Sequence, residues 1–236
     1  MGLFRRKLIK SVCIIQSRLG SSRLPGKALM EMAGKPMIQH VVERVFPLKV
    51  DQVVVAVPEQ DLVKYRFLGD LKCLVVGGSD RDVLGRYYKA LQVCPANVIV
   101  RVTGDCPLYD PVIGNFVLSH WFENRANFIT NDTRRSGYPD GTDTEVFNFL
   151  MLANAARLGS TPAHREHVTP WMADNAPTTL VQPLNPYPVI KLSVDTQEDF
   201  DRVKAILEAV PSTYVSDHGE YELATTLAAA KAAGVL

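Results

Sequence analysis

The chain has 236 residues, 47% of them apolar and 22% charged, with a formal net charge of +1. This composition excludes disordered, collagen-like and coiled-coil chains, and the length suits one domain with a sizeable core. No apolar run reaches the roughly 18 residues of a membrane span, and Leu8-Ile9 is too short for the apolar region of a signal peptide, so a cytoplasmic protein without a membrane partner is expected.

In chain order, residues 11–16 (SVCIIQ) read as a buried strand. Residues 36–46 read as a helix, with Pro36 in the first turn and Ile38, Val41, Val42 and Val45 at helical spacing. A second strand at 52–57 ends at Pro58, residues 61–68 read as helical, and a third strand at 72–76 precedes Gly77-Gly78. Ser79 or Asp80 is expected to cap a helix running to about residue 93. A fourth strand follows at 97–102, a helix at 111–122 and a short strand at 127–130. Residues 133–143 read as a loop, 144–149 as a strand and 163–173 as a helix. Four prolines keep 175–188 extended or turning. A strand at 189–194, a helix at 196–210 and an Ala-rich helix at 220–233 complete the chain. The β-α-β-α rhythm predicts an α/β fold, a mostly parallel sheet flanked by helices, in a single domain spanning 1–236. Ligands of such sheets bind beyond the carboxyl ends of the strands, here residues 17–27, 77–82 and 103–110.

Charge is distributed unevenly. Residues 1–49 hold ten Lys and Arg against two Glu, leaving the remainder acidic. A basic front on an acidic body points to a local anion site, not to a nucleic-acid surface. A solubilising tail accounts for Arg5, Arg6, Lys7 and Lys10, but Arg18, Arg23, Lys27 and Lys35 sit among glycines and apolar residues. The four cysteines form no C-x-x-C pair and read as inert thiols. Asn131-Asp-Thr133 fits a glycosylation sequon, which carries no weight without a secretory signal.

Three segments carry chemistry. Gln16-Ser-Arg-Leu-Gly-Ser-Ser-Arg-Leu-Pro-Gly-Lys27 combines glycines, small hydroxyl residues and three fixed cations after the first strand, the makings of a polyphosphate cradle. It matches neither G-x-G-x-x-G nor G-x-x-x-x-G-K-[ST]. As a surface-loop residue, Lys27 is expected to contribute under about 0.5 kcal/mol to stability. Arg101-Val-Thr-Gly-Asp-Cys-Pro-Leu108 puts Asp105 beyond the fourth strand, where an Asp meets a metal or caps a turn. Leu192-Ser-Val-Asp-Thr-Gln-Glu-Asp199 puts Asp195 between strand and helix, as a metal ligand or an N-cap. His164 and His167 share a helical face, but no Cys or third His lies near enough in sequence for zinc. Trp121 and Trp171 read as packing residues.

With Ala33-Gly-Lys-Pro36 and the V-x-G-D-x-P-L and V-D-T-x-E-D patterns, these motifs resemble the cytidylyltransferase family, which activates 3-deoxy-manno-octulosonate and sialic-type acids. Gly77-Gly-Ser-Asp-x-Asp-Val-Leu-Gly-Arg-Tyr-Tyr88, Tyr138-Pro-Asp-Gly-Thr-Asp-x-Glu145 and Arg165-Glu-His-Val-Thr-Pro170 are most similar to its spore-coat polysaccharide protein F branch. The resemblance runs from about residue 11 to 203. It implies a glycosyltransferase-A-like fold and transfer of CMP from CTP to a sugar or sugar acid, releasing pyrophosphate, in surface polysaccharide synthesis. Lys27, Arg18 and Asp105 are then the expected catalytic residues. Gln16, Ser17, Arg18, Gly20, Ser21, Arg23, Lys27, Gly77, Ser79, Asp82 and Thr103 are expected at the nucleotide, and Asp105 and Asp195 at Mg²⁺.

Residues 131–190 are expected to form an acceptor-side insertion, with Tyr138, Asp140, Asp143, Glu145, Arg165, Glu166 and His167 facing the acceptor. Thr103 departs from the Gln common in sugar-acid enzymes. Three carboxylates at the acceptor repel an anion unless it carries an amino group or Arg134, Arg135 and Arg165 compensate. Two adjacent metal-binding carboxylates repel each other, so Asn at Asp105 or Asp195 is expected to stabilise the protein slightly. A homodimer is the expected assembly. Two other readings stand beside this one: a nucleotide-sugar-dependent glycosyltransferase, disfavoured by a single Asp in Gly104-Asp-Cys, and a non-catalytic nucleotide-binding protein.

Overall fold

The protein is described from a computed structural model, over residues 11–124, 126–210 and 222–236. The basic tail around Arg5 and the first residues of the expected terminal helix lie outside that range.

The chain opens on β1 (Ser11–Gln16), then a hairpin of β2 (Glu31–Met32) and β3 (Lys35–Pro36), α1 (Met37–Val45) and β4 (Gln52–Pro58). A 3₁₀ segment, Glu59–Leu71, leads to β5 (Leu74–Gly78), α2 (Val83–Val93) and β6 (Val98–Thr103). Next come α3 (Pro111–Asn124), β7 (Phe128–Thr130), α4 (Thr133–Ser136), β8 (Glu145–Asn148), α5 (Phe149–Leu158), α6 (Pro162–His167) and α7 (Pro170–Asn175). The last elements are β9 (Thr178–Leu180), α8 (Gln197–Ala209) and α9 (Leu223–Ala232).

Seven strands form one sheet in the order β5-β4-β1-β6-β8-β7-β9. All neighbours are parallel except β8, which runs antiparallel to β6 and β7. Side-chain alternation divides the core. Cys13, Ile15, Val53, Val55, Val100 and Val102 face α1, α3, α8 and α9, while Val12, Ile14, Val54, Ala56 and Ile99 face α2, α5 and α7. Covered on both faces, β1 and β4 are near-continuous apolar runs without a polar side, and Arg101 interrupts the run of β6. The parallel strands deliver residues 17–27, 79–82 and 104–110 to one edge. Among the described residues no helix is long and apolar enough to cross a membrane.

Several expected elements differ. The third strand starts at Leu74, because Lys72 takes a left-handed turn (φ 59°) that closes the 3₁₀ segment. The cap of α2 is Asp82, whose Oδ1 accepts from the Gly85 N–H at 2.8 Å, in place of Ser79 or Asp80. Helix α5 was not anticipated; Asn148 ends β8 and caps it, accepting from the Met151 N–H. The expected helix at 163–173 breaks in two because Pro170 has no N–H and its ring excludes a continuous helix. Between the halves Val168 (φ 70°, ψ −56°) makes a tight turn closed by the Thr169 N–H on the His167 carbonyl at 2.8 Å. Residues 189–194 form no ladder strand. They lie extended between two loops, the Leu192 N–H on the Asp140 carbonyl and the Val194 N–H on the Asp105 carbonyl, both at 2.8 Å.

Helix α8 begins with a capping box: Thr196 accepts from the Asp199 N–H, and Asp199 accepts from the Thr196 N–H. Asp195 is therefore not the cap. Asp199 also receives Lys191 at 2.6 Å, Arg202 and the Asp195 N–H. Burial opposes its charge, but these partners outweigh it and hold its carboxyl well below the usual range. A carboxylate with a depressed folded-state pKa stabilises above its unfolded value and loses that contribution as pH falls through the folded one. Asp199→Asn is therefore expected to melt several degrees lower at neutral pH, with the gap from wild type closing on acidification; melting curves across a pH series check this. A constant gap removes the ionic account.

Candidate active site

The segment after β1 is pinned from below. Leu24 and Ala28 are buried in the core, the Leu19 N–H donates to Asp61 at 3.0 Å, and the Ser17 hydroxyl meets the buried Tyr65 hydroxyl at 2.8 Å. Gly26 turns the chain at φ 75°, where a side chain is strained, and delivers Lys27. On the next strand Gly104 makes a close approach: its N–H donates to the Gln16 carbonyl, and a Cβ there would lie 2.5 Å from that oxygen. Only glycine lets the β6 loop lie against the β1 loop, and this brings Asp105 beside Lys27.

Lys27 is the hub. Its ammonium lies 3.2 Å from Asp105 and 3.6 Å from Asp195, and donates to the Val194 carbonyl. Its side chain is only 12% exposed, so Lys27 is not the solvated loop lysine expected from its position in the sequence. Asp195 also receives Arg23 at 2.8 Å and Lys191 at 3.0 Å. Burial works against its charge, but Lys191, Lys27 and Arg23 hold its carboxyl below the usual range. Two carboxylates ninety positions apart thus meet at one cation. The donors are all hard oxygens, and the position already holds a positive charge, which suits a divalent cation of the Mg²⁺ type. Among the described residues no three His, Cys, Asp or Glu side chains form a metal cluster on their own, His164 and His167 included.

Two cavities meet here. The smaller, about 270 Å³, is lined by Gln16, Ser17, Arg18, Ser21, Arg23, Lys27 and Thr103 among others. The larger, about 1120 Å³, is lined by Tyr138, Asp140, Asp143, Glu145 and further residues of the second half. Thr103, Asp105, His167 and Asp195 border both.

Other expected residues lie elsewhere. Gly20, Gly77, Ser79 and Asp82 do not line the smaller cavity. Glu166 and Arg165, expected at the acceptor, reach toward the β1 loop and the cap of α2. Glu166 pairs with Arg18 at 3.2 Å and lines the smaller cavity, and Arg165 pairs with Asp82 at 3.4 Å. Helix α6 thus spans from the β1 loop to the cap of α2.

The arginines that were to offset the acceptor-side carboxylates are already engaged. Arg134 and Arg135 both close on Asp132, at 2.9 and 2.8 Å. Burial raises the Asp140 and Asp143 carboxyls above the ordinary value, aided by the charges of Asp105 and Asp195 at Asp140 and by those of Asp140 and Glu145 at Asp143.

Sequence reasoning missed Ser22, Val83 and Arg86, which line the smaller cavity, and Arg101, which lines the larger. Arg101 pairs with Glu145 and donates to Gln16 at 3.1 Å, and Glu145 accepts from the Thr169 hydroxyl at 2.7 Å. The available signal was an arginine inside an apolar strand, which demands a partner.

A family model described as cytidylyltransferase matches residues 12–232. The chain is 28% identical over 211 residues to the spore coat polysaccharide biosynthesis protein SpsF of Bacillus subtilis, covering 83% of this chain and 85% of that one. It is 39% identical over 140 residues to a 3-deoxy-manno-octulosonate cytidylyltransferase of Yersinia pseudotuberculosis, covering 58% and 54%. Among solved structures, a cytidylyltransferase from Leptospira borgpetersenii superposes with a TM-score of 0.83 at 27% identity, covering 96% of each chain.

Proposed function

The chain belongs to the cytidylyltransferase family and is a CTP-using nucleotidyltransferase, and from that premise we propose that it transfers CMP to a sugar or sugar acid for surface polysaccharide synthesis. The convergence of Lys27, Asp105 and Asp195 where the two cavities meet carries the reading. In it the smaller cavity takes the nucleotide and the larger the acceptor, with residues 131–190 forming the acceptor side of the single domain. Similarity to the spore coat polysaccharide and 3-deoxy-manno-octulosonate relatives supports a sugar or sugar-acid acceptor. The reading takes Mg²⁺ as the metal and a cytoplasmic homodimer as the working form.

An acceptor hydroxyl attacks the α-phosphorus of CTP, its proton passes to water, and the bond to pyrophosphate breaks. Arg18, Arg23 and Lys27 orient the triphosphate and offset charge growing on the leaving group. Asp105 and Asp195 would hold the divalent cation, which supplies further charge stabilisation there. In the structure, Arg23 and Lys27 rest on the same aspartates. Nucleotide and metal therefore exchange partners with the protein's own ion pairs, and neither charge set is left bare.

Mg²⁺ with CTP is expected to raise the melting temperature more than with ATP, GTP or UTP, because stabilisation grows with ligand concentration over Kd, to about 2.7 kcal/mol at a hundredfold excess. Pyrophosphate release from CTP across a panel of 3-deoxy sugar acids, with and without amino groups, then identifies the acceptor. Equal shifts for all four nucleotides remove the cytidine assignment; no release with any sugar or sugar acid removes the acceptor class.

A further inference from the structure

Arg18, Arg23, Lys27 and Arg86 all line the smaller cavity. Arg18 is held by Glu166, Arg23 by Asp195, and Lys27 by Asp105 and Asp195. Arg86 differs. It is 2% exposed, no carboxylate among the described residues lies at ion-pair distance, and its Nε–H has no hydrogen-bond partner. Its Nη1 donates to the Ser79 and Asp80 carbonyls, at 2.6 and 3.0 Å. Gly78 makes room for its stem; a Cβ there would lie 2.9 Å from the Arg86 Cγ. Asp82, the cap of its own helix, pairs with Arg165.

A guanidinium sealed from water with neutral acceptors on one edge and nothing on Nε is costly unless something else completes it. Burial lowers its pKa most; Tyr87, Asp80 and Asp82 act against this and Arg18 acts with it, the net direction stays down, and an arriving anion opposes it. We infer that Arg86 is a binding residue for the phosphate chain of the nucleotide, an inference that rests on the nucleotide reading of this cavity. Among the four cations it alone meets an anion without first releasing a protein carboxylate. The backbone clip on Ser79 and Asp80 fixes the planar fork in advance, so little ordering is left to the moment of binding.

The competing account makes Arg86 a structural clip for the turn before α2. Calorimetric titration with inorganic tripolyphosphate, with CTP and with cytidine separates the two and needs no acceptor. Arg86→Gln keeps a donor for the carbonyls and removes the charge; Arg86→Lys keeps the charge. The Gln variant is expected to lose roughly 10- to 100-fold in affinity for tripolyphosphate and for CTP, as for a hydrogen bond to a charged group, with cytidine unchanged and the Lys variant recovering most of the loss. Folded Arg86→Gln with wild-type tripolyphosphate affinity overturns the inference while leaving the transferase reading intact. A loss seen with CTP and cytidine but not tripolyphosphate also overturns it, placing Arg86 at the base. Wild-type protein that binds neither CTP nor tripolyphosphate removes the nucleotide reading itself. If Arg86→Gln fails to fold, Arg86→Lys at wild-type stability decides on its own: wild-type affinity for tripolyphosphate supports a charge contact, and a loss equal for tripolyphosphate and cytidine refutes it.

Discussion

Lys27→Met is expected to lower turnover on the order of 10²–10³-fold, the usual cost of removing a charge aimed at a leaving group. It is also expected to lower stability, which a solvated loop lysine would not do. The ammonium stands between Asp105 and Asp195, with the Val194 carbonyl as a third acceptor. Methionine keeps most of the stem's packing but leaves two carboxylates facing each other. Both retain some contact with water, and Arg23 and Lys191 remain on Asp195, so the loss should be about 1–2 kcal/mol rather than the full cost of an orphaned buried charge. That is a sizeable part of a total of roughly 5–15 kcal/mol. Thermal melts and pyrophosphate release read the two effects separately. Unchanged turnover takes Lys27 out of the mechanism; unchanged melting means the ion cluster contributes nothing to the fold.

What the sequence made legible was local. β1 is a run of β-branched residues followed at once by the glycines, serines and cations of the cradle, so strand, turn and anion chemistry are all visible within one window. The same holds for α8, where apolar spacing survives into the structure. Features that depend on chain segments far apart were less legible. The predicted strand at 189–194 has the right composition, but its partners are the loops bearing Asp140 and Asp105, and loop pairing leaves no period in the sequence. Helix α6 carries Arg165 and Glu166 next to one another, yet they reach different segments, the cap of α2 and the β1 loop, because successive helical side chains diverge by about 100°. Pro170 inside the expected helix at 163–173 is itself a local signal for the break at Val168.

Asp105→Asn and Asp195→Asn are each expected to lower turnover at least about 100-fold, with the double variant little worse than either. Near-equality is the informative part. Independent residues would multiply their losses, whereas two oxygens donated to one ion fail together. The structure supplies the geometry for this, since both carboxylates lie within 3.6 Å of the same ammonium at the border of both cavities. It also decides two matters that the sequence left open. Thr196, not Asp195, caps α8, so a cap-preserving Asn gives no reason for activity to survive. And the two carboxylates do not face each other bare. Lys27 stands between them and Arg23 and Lys191 flank Asp195, so their mutual repulsion is already offset, and Asp195→Asn should destabilise the protein where repulsion alone would have it stabilise. The depressed Asp195 carboxyl gives that loss a sign in pH: present above the unfolded-state value, it shrinks as pH falls through the folded-state one. Single and double variants should therefore be compared by melting across pH and by pyrophosphate release at saturating CTP. Multiplicative losses, or Asp195→Asn turning over as wild type does, would refute the shared site.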